Sequence, residues 1–195
     1  MPSKKELFDV LVVSRNENLI DLLEEILPPT QFASIIPVYS AGEAKRKLIE
    51  TPFNIVIIDT PLSDDFGTQL ALDISESNSC GVILLVKSEL FEQVSFKVED
   101  FGIATIAKPT SRQAIYSSIK ILCATQNRLK SLDNKYSDLQ EKMKEIRIVN
   151  RAKCLLIQHL KMTEPESHKY IEKQAMDRCV KKTVIAENII KTYEQ

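Results

Sequence analysis

Two sets of residues in this chain have the types and spacing to bear on chemistry. The first is an acid and a base: Asp59 closes the apolar run at residues 54–59, and Lys108 follows a second run at 103–107 and precedes Pro109. A carboxylate and an ammonium at the ends of two such runs can meet and pair. The second set is cationic and lies in the last quarter: Arg147, Arg151, Lys153, Arg178, Lys181 and Lys182. Clustered positive charge attracts a polyanion, and the planar arginine fork both stacks and bonds bidentately. A solvated basic helix face explains the same residues nearly as simply.

Other constellations are missing from the sequence. It has no Gly-rich phosphate loop, with only 4 glycines in all, no Gly-x-Ser-x-Gly elbow and no His-Glu-x-x-His pair. An enzyme is therefore not expected. Cys80, Cys123, Cys154 and Cys179 form no Cys-x-x-Cys pair, and His159 and His168 sit in no metal-ligand spacing. Buried or inert thiols and solvent-facing histidines are expected, with no metal and no cofactor.

The net charge of −1 hides an asymmetry. Residues 1–120 hold 17 acidic against 11 basic side chains, and residues 121–195 hold 15 basic against 10 acidic. Only the rear of the chain suits a polyanion. No apolar run approaches the ~20 residues that span a bilayer. Lys4 and Lys5 are followed by Glu6 and Asp9 rather than by a signal-peptide core. The expectation is a cytoplasmic protein without membrane contact.

The elements that must position Asp59 and Lys108 alternate along the first 120 residues. Strand patterns fall at 8–13, 34–38, 54–59, 82–86 and 103–107. Most are continuous apolar runs, as strands covered on both faces require. Pro37 marks the second as an edge strand. Leu19, Leu22, Leu23 and Ile26 make a helical stripe that Pro28-Pro29 ends, Ser40 and Glu43 form a capping-box pattern, and Phe91, Val94, Val98 and Phe101 make a further stripe. Five β-α units predict an α/β fold: a doubly wound, five-stranded parallel sheet, with its site at the carboxyl ends of the strands.

This arrangement resembles the receiver domain of bacterial response regulators, over residues 1–122. The resemblance implies that Asp59 corresponds to the phosphoryl-accepting aspartate. It implies that Lys108 corresponds to the lysine that contacts the phosphate, often through a cis peptide before the following proline. Gly67 and Gly102 fit the family's glycines. Four positions depart from its pattern. Ser14-Arg15 stands in place of the acidic pair that holds Mg²⁺, and Arg15 is free to pair with Asp59 instead. Val86 stands where the fourth strand ends in a hydroxyl residue, and Thr105 where an aromatic switch residue sits. A degenerate receiver is expected, with the Asp59–Lys108 ion pair as its simplest remnant.

Ser111 can cap a helix with no glycine or proline to stop it before Pro165. Leu129, Leu132, Tyr136, Leu139, Met143 and Ile146 follow the 3-4 spacing of a coiled-coil seam about three heptads long. A helical linker at 123–146 and a parallel homodimer are expected. The other reading is a single helix laying its stripe on its own domain.

Residues 147–195 read as three short amphipathic helices, with Leu155, Leu156, Tyr170, Ile171, Val184, Ile185, Ile189 and Ile190 as apolar stripes. Thr163 and Glu166 form a capping box and Pro165 sits in the first turn. The blocks Ala152-Lys153, Thr163-Glu-Pro-Glu166 and Ala175-Met-Asp-Arg178 resemble the ANTAR domain, a family that binds RNA hairpins and prevents transcription termination. The resemblance implies an RNA-facing surface with Arg147, Arg151, Ala152, Lys153, Arg178, Lys181 and Lys182, where Ala152 lets RNA approach the helix. Ala175, Met176, Ala186 and Tyr170 are expected to pack the bundle. Cys154, Lys161 and Cys179 depart from the family pattern.

The combined expectation is a transcription antitermination regulator that binds nascent mRNA hairpins. Its receiver-like part controls dimerisation or docks a sensor protein or histidine kinase. Two alternatives stand beside it: a conventional two-component antiterminator working through Asp59, and an interaction adaptor without RNA binding.

Overall fold

The computed structural model describes residues 7–77 and 80–194. Lys4, Lys5 and Glu6 lie outside the described residues. By its internal contacts the chain divides into two compact units, Met1–Leu129 and Lys130–Gln195.

The first unit alternates β1 (Phe8–Val13), α1 (Glu17–Ile26), β2 (Phe32–Val38), α2 (Ala41–Glu50), β3 (Ile55–Asp59), α3 (Thr68–Ser77), β4 (Gly81–Lys87), α4 (Phe91–Val98) and β5 (Ala104–Lys108). It closes with the start of α5 (Arg112–Leu160). The five strands are all parallel, in the order β2-β1-β3-β4-β5. Successive residues of a strand point to opposite faces, and here both faces are covered. Leu11, Val13, Val56, Ile58, Leu84 and Val86 pack toward one set of helices, with Leu70, Ile74 and Val94. Val10, Val12, Ile55, Ile57, Ile83 and Leu85 pack toward the other, with Leu23, Ile115 and Ile119. That double burial is why the strands read as unbroken apolar runs. β2 is an edge strand, so Pro37, opposite Val12, interrupts no second ladder.

Local chemistry sets most boundaries. Ser40 caps α2 by accepting the Glu43 N–H, but the Glu43 carboxylate takes the Tyr39 N–H rather than that of Ser40, so the box is shifted by one residue. Ser111 caps α5 through the Ala114 N–H at 3.1 Å. α4 ends at Val98, and Phe101 lies beyond it in a 3-10 turn, 43% exposed, so the expected stripe is shorter by one member.

The second unit contains the rest of α5, then α6 (Glu164–Asp177) and α7 (Lys182–Tyr193). Its core is Ala152, Leu155, Leu156, Ile171, Ala175, Ile185, Ala186 and Ile189. Thr163 and Glu166 form a complete capping box at the start of α6, with Pro165 in the first turn. Lys161 and Cys179, in the turns on either side of α6, hold left-handed backbone at φ 55° and 52°. The seam residues Leu129, Leu132, Tyr136, Leu139, Met143 and Ile146 are all between 48% and 65% exposed. Among the described residues, no helix is long and apolar enough to cross a membrane.

Candidate functional site

The crevice at the strands' carboxyl ends is built around Asp59, the last residue of β3, and Lys108, the last of β5. Lys108 Nζ donates to Asp59 Oδ1 at 2.5 Å and to the Thr60 carbonyl at 2.5 Å. Ser14, 1% exposed, donates from Oγ to Asp59 Oδ2 at 2.8 Å, and its Oγ accepts the Asn16 N–H. Both carboxylate oxygens are thus held by protein donors. The cleft has a volume of about 320 Å³, and Arg15, Tyr39 and Ser63 also line it. The Lys108-Pro109 peptide is cis, as is Thr60-Pro61.

The geometry revises the sequence reading at several positions. Arg15 does not hold Asp59; Ser14 and Lys108 do. Arg15 instead lends charge to Asp64, whose carboxyl is held below its ordinary value mainly by the Ala41 and Gly42 amides at the start of α2. β4 runs one residue further than expected, so Val86 is sealed in the core and Lys87 ends the strand opposite Lys108. The next hydroxyl, Ser88, is committed to the Lys108 carbonyl. Thr105 in β5 lies opposite Leu84 of β4, and its Oγ1 is buried without a hydrogen-bond partner among the described residues. Gly67 has φ 102°, and a Cβ there would come within 3.0 Å of Ile58 and Thr60.

This donor set does not fit the Mg²⁺ that a working receiver requires. A hard cation wants several oxygens. Here one carboxylate is offered, with one oxygen on an ammonium and the other on a hydroxyl. The arrangement can hold an ion pair and shape a cleft.

In the second unit the expected basic residues divide into two groups. Arg151 pairs in a fork with Glu194, at 2.7 and 2.9 Å. Its hydrogen bonds and charge hold the Glu194 carboxyl below its ordinary value, and Arg151 is raised in return. Lys153, its side chain 15% exposed, pairs with Glu164 at 2.7 Å and Lys182 pairs with Glu172, and both carboxyls are likewise depressed. Arg147, Arg178 and Lys181 are exposed and have no ion pair among the described residues. Arg178 caps α6 and Lys181 caps α7, so both sit at the turn between those helices.

Further corrections concern side chains that the sequence misplaced. Ala152 is fully buried against Leu156, Ile171 and Ala186, so it belongs to the core and not to an RNA-facing surface. Met176 is 77% exposed, on the face of α6 away from Ile171 and Ala175. Tyr170 is 39% exposed and forms the wall of a cavity rather than the core. Cys123 is buried as expected and Cys80 half-buried, with burial pushing the Cys80 thiol up to about 11 and Cys123 upward, but Cys154 and Cys179 are exposed. His159 is exposed and stacks on Tyr193 at 4.7 Å, and exposed His168 lies 3.2 Å from Glu172. Sequence reasoning missed Ser14 as a positive contact and the acidic partners of Arg151, Lys153 and Lys182. Those partners lie 10 to 43 positions from their cations, beyond any local spacing rule.

Comparison with known proteins adds two findings. The model of the ANTAR domain matches residues 137–190, beginning inside the exposed seam. The first unit has the fold of solved receivers. One is the signal receiver domain of an HD domain-containing protein from Pseudomonas fluorescens Pf-5, with TM-score 0.58 and 19% identity, over 67% of this chain and 96% of that one. Another is the CheY-like receiver domain protein from Methanospirillum hungatei JF-1, with TM-score 0.55 and 23% identity, over 63% and 98%. This chain joins a receiver fold to a segment that matches the ANTAR domain. The transcriptional regulatory protein PdtaR of Mycobacterium tuberculosis is similar, at 25% identity over 139 residues, covering 71% of this chain and 68% of that protein. The crevice of the receiver fold and the basic turn at Arg178–Lys181 lie in different compact units.

Proposed function

We propose that this chain is a non-enzymatic, cytoplasmic regulator that binds hairpins in nascent mRNA and prevents transcription termination. In this reading residues 1–122 form a degenerate receiver, 123–146 a coiled-coil linker and 147–195 the RNA reader. One observation carries it: the ANTAR match falls on the basic part of the chain, where Arg147, Arg178 and Lys181 are exposed without an ion-pair partner among the described residues. RNA loops are read by stacking and by hydrogen bonds to splayed bases, which arginine supplies. Arg151, Lys153 and Lys182 join only by leaving their carboxylates, as phosphate oxygens replace Glu194, Glu164 and Glu172. The receiver part then acts by dimerisation or by docking a sensor protein.

The test is binding of the full chain to hairpin leader RNA and to duplex DNA of the same sequence, at one salt concentration because phosphate contacts are salt-dependent. Hairpin RNA is expected to bind more tightly, and equal affinity for the duplex sinks the reading. Arg178→Ala is expected to weaken binding by about 1–3 kcal/mol if it touches a base, and by less if it touches only phosphate.

A second reading, control by a histidine kinase through Asp59, draws support from the direct Lys108–Asp59 contact. The missing acidic pair weighs against it.

A further inference from the structure

The ANTAR unit contains a cavity of about 280 Å³ between the end of α5, α6 and α7. Its floor is apolar, with Leu156 from the core. Its walls carry two aromatic rings, Tyr170 and Tyr193, and two amides, Gln174 and Asn188. Arg178 also lines it. None of the Gln174, Asn188 or Arg178 side chains has a hydrogen-bond or ion-pair partner among the described residues. One side of Tyr193 is backed by the stacked ring of His159, with 22° between the planes, which steadies the wall.

We infer that this cavity receives one unstacked nucleobase from the RNA loop, held flat against tyrosine and read at its edge by Gln174 and Asn188. The inference rests on the RNA-binding reading and gives it a specific subsite. The cavity lies at the lower end of small-ligand pocket volumes, which suits a single base. A base needs a flat apolar surface for its face and paired donors and acceptors for its edge. A carboxamide offers one of each on a rigid plane, the pattern that matches adenine. A phosphate group would instead want several cations, and Arg178 is the one cation that lines this cavity. Arg178 is placed to meet the phosphate or ribose of the same nucleotide at the rim. The bound base is therefore expected to be a purine, adenine in preference to guanine, whose edge presents two acceptors and favours arginine or lysine.

The experiment uses the full chain and a library of stem–loop RNAs with one fixed stem and a randomised loop. Wild type is expected to enrich loops with adenine at one position. Replacing that nucleotide by an abasic ribose is expected to weaken binding by about tenfold, the worth of one bidentate base contact. The Gln174→Ala/Asn188→Ala double variant is expected to bind the library with no preference at that position, and to bind intact and abasic hairpins equally. Both residues lie outside the bundle core, and a thermal melt matching wild type confirms that the fold is kept. Asn188→Asp gives a second check, because a carboxylate repels the base's acceptors and should invert the preference towards cytosine. If wild type binds hairpins but the double variant keeps the same loop preference, the cavity is not the base site and the RNA reading stands. If wild type binds no hairpin above its affinity for duplex DNA, the RNA reading falls and the subsite falls with it.

Discussion

Asp59 ends β3 at the crevice, in direct contact with Lys108. Transfer of a phosphoryl group to a carboxylate brings anionic oxygens together, and a metal normally neutralises them. Here the two oxygens of Asp59 are already engaged, one by Lys108 and one by the buried Ser14 hydroxyl. A hydroxyl at Ser14, where the resemblance to receivers implies a carboxylate, leaves the cleft less negative and with one metal ligand fewer than that pattern has. Incubation with a small phosphodonor and Mg²⁺ is therefore expected to leave most of the protein unmodified by intact mass. Near-stoichiometric addition to wild type, absent in Asp59→Asn, would establish a competent receiver and promote control through Asp59. The Asp59–Lys108 contact itself was legible in the sequence, because the ends of parallel strands in a doubly wound sheet converge on one crevice. The Ser14 contact was not, because a serine reads as a loss when an acid is expected, and its bond spans 45 positions.

At the scale of elements, the turns around α6 carry a definite strain. Lys161 and Cys179 hold left-handed backbone with side chains that disfavour it. That conformation costs a non-glycine residue roughly 1 kcal/mol. Lys161→Gly and Cys179→Gly are each expected to raise the stability of the bundle by up to about 1 kcal/mol, read as a higher denaturation midpoint at unchanged slope. A drop in midpoint would mean that either side chain makes a contact worth more than the strain. The same unit has a defined response to acid. Glu166 lies below the ordinary glutamate value of 4.5 because the Thr163 backbone and hydroxyl donate to it, and Glu164, Glu172 and Glu194 are depressed by their cations. A carboxyl depressed in the folded state takes up its proton first in the unfolded chain, so its stabilisation is full above pH ~4.5 and is lost as pH falls through the folded values. Amide exchange protection in α6 and α7 is expected to decline from pH ~5 downward, modestly because these pairs are exposed and screened. Protection that stays flat to pH ~3 would show that the pairs contribute nothing. Sequence patterning located these helices because Thr163, Glu166 and Pro165 act within one turn. It misplaced Ala152 and Met176 because helical period alone does not say which apolar positions meet a neighbour. Ala152 meets Ile171 and Ala186, whereas Met176 meets solvent.

For the whole molecule, the seam along α5 is the feature that would couple the acidic front to the basic rear. Six apolar side chains at 3-4 spacing stay about half exposed or more. In the proposed parallel dimer they cover one another, and the flanking positions add a bias. In-register pairing sets Arg128 beside the second copy's Asp133, which attracts, and Lys142 beside its Arg147, which repels. The seam is about three heptads long and contains Tyr136, so its stability is marginal and open to control. An RNA phosphate near Lys142 and Arg147 would relieve the repulsion, so RNA binding and dimerisation should each strengthen the other, by the reciprocity of linked equilibria. Two hairpins joined in one RNA then gain affinity through effective concentration, without new contacts. Leu132→Ala combined with Leu139→Ala is expected to give a monomer by sedimentation, with the sheet and bundle intact because neither residue belongs to a core. The double variant should bind a single hairpin as wild type does and a two-hairpin RNA more weakly, by about tenfold or more for a lost tether. Wild type should also sediment as a tighter dimer with RNA present than without it. A monomeric variant that holds two-hairpin RNA as tightly as wild type would remove dimerisation from the mechanism and leave each bundle reading its hairpin alone.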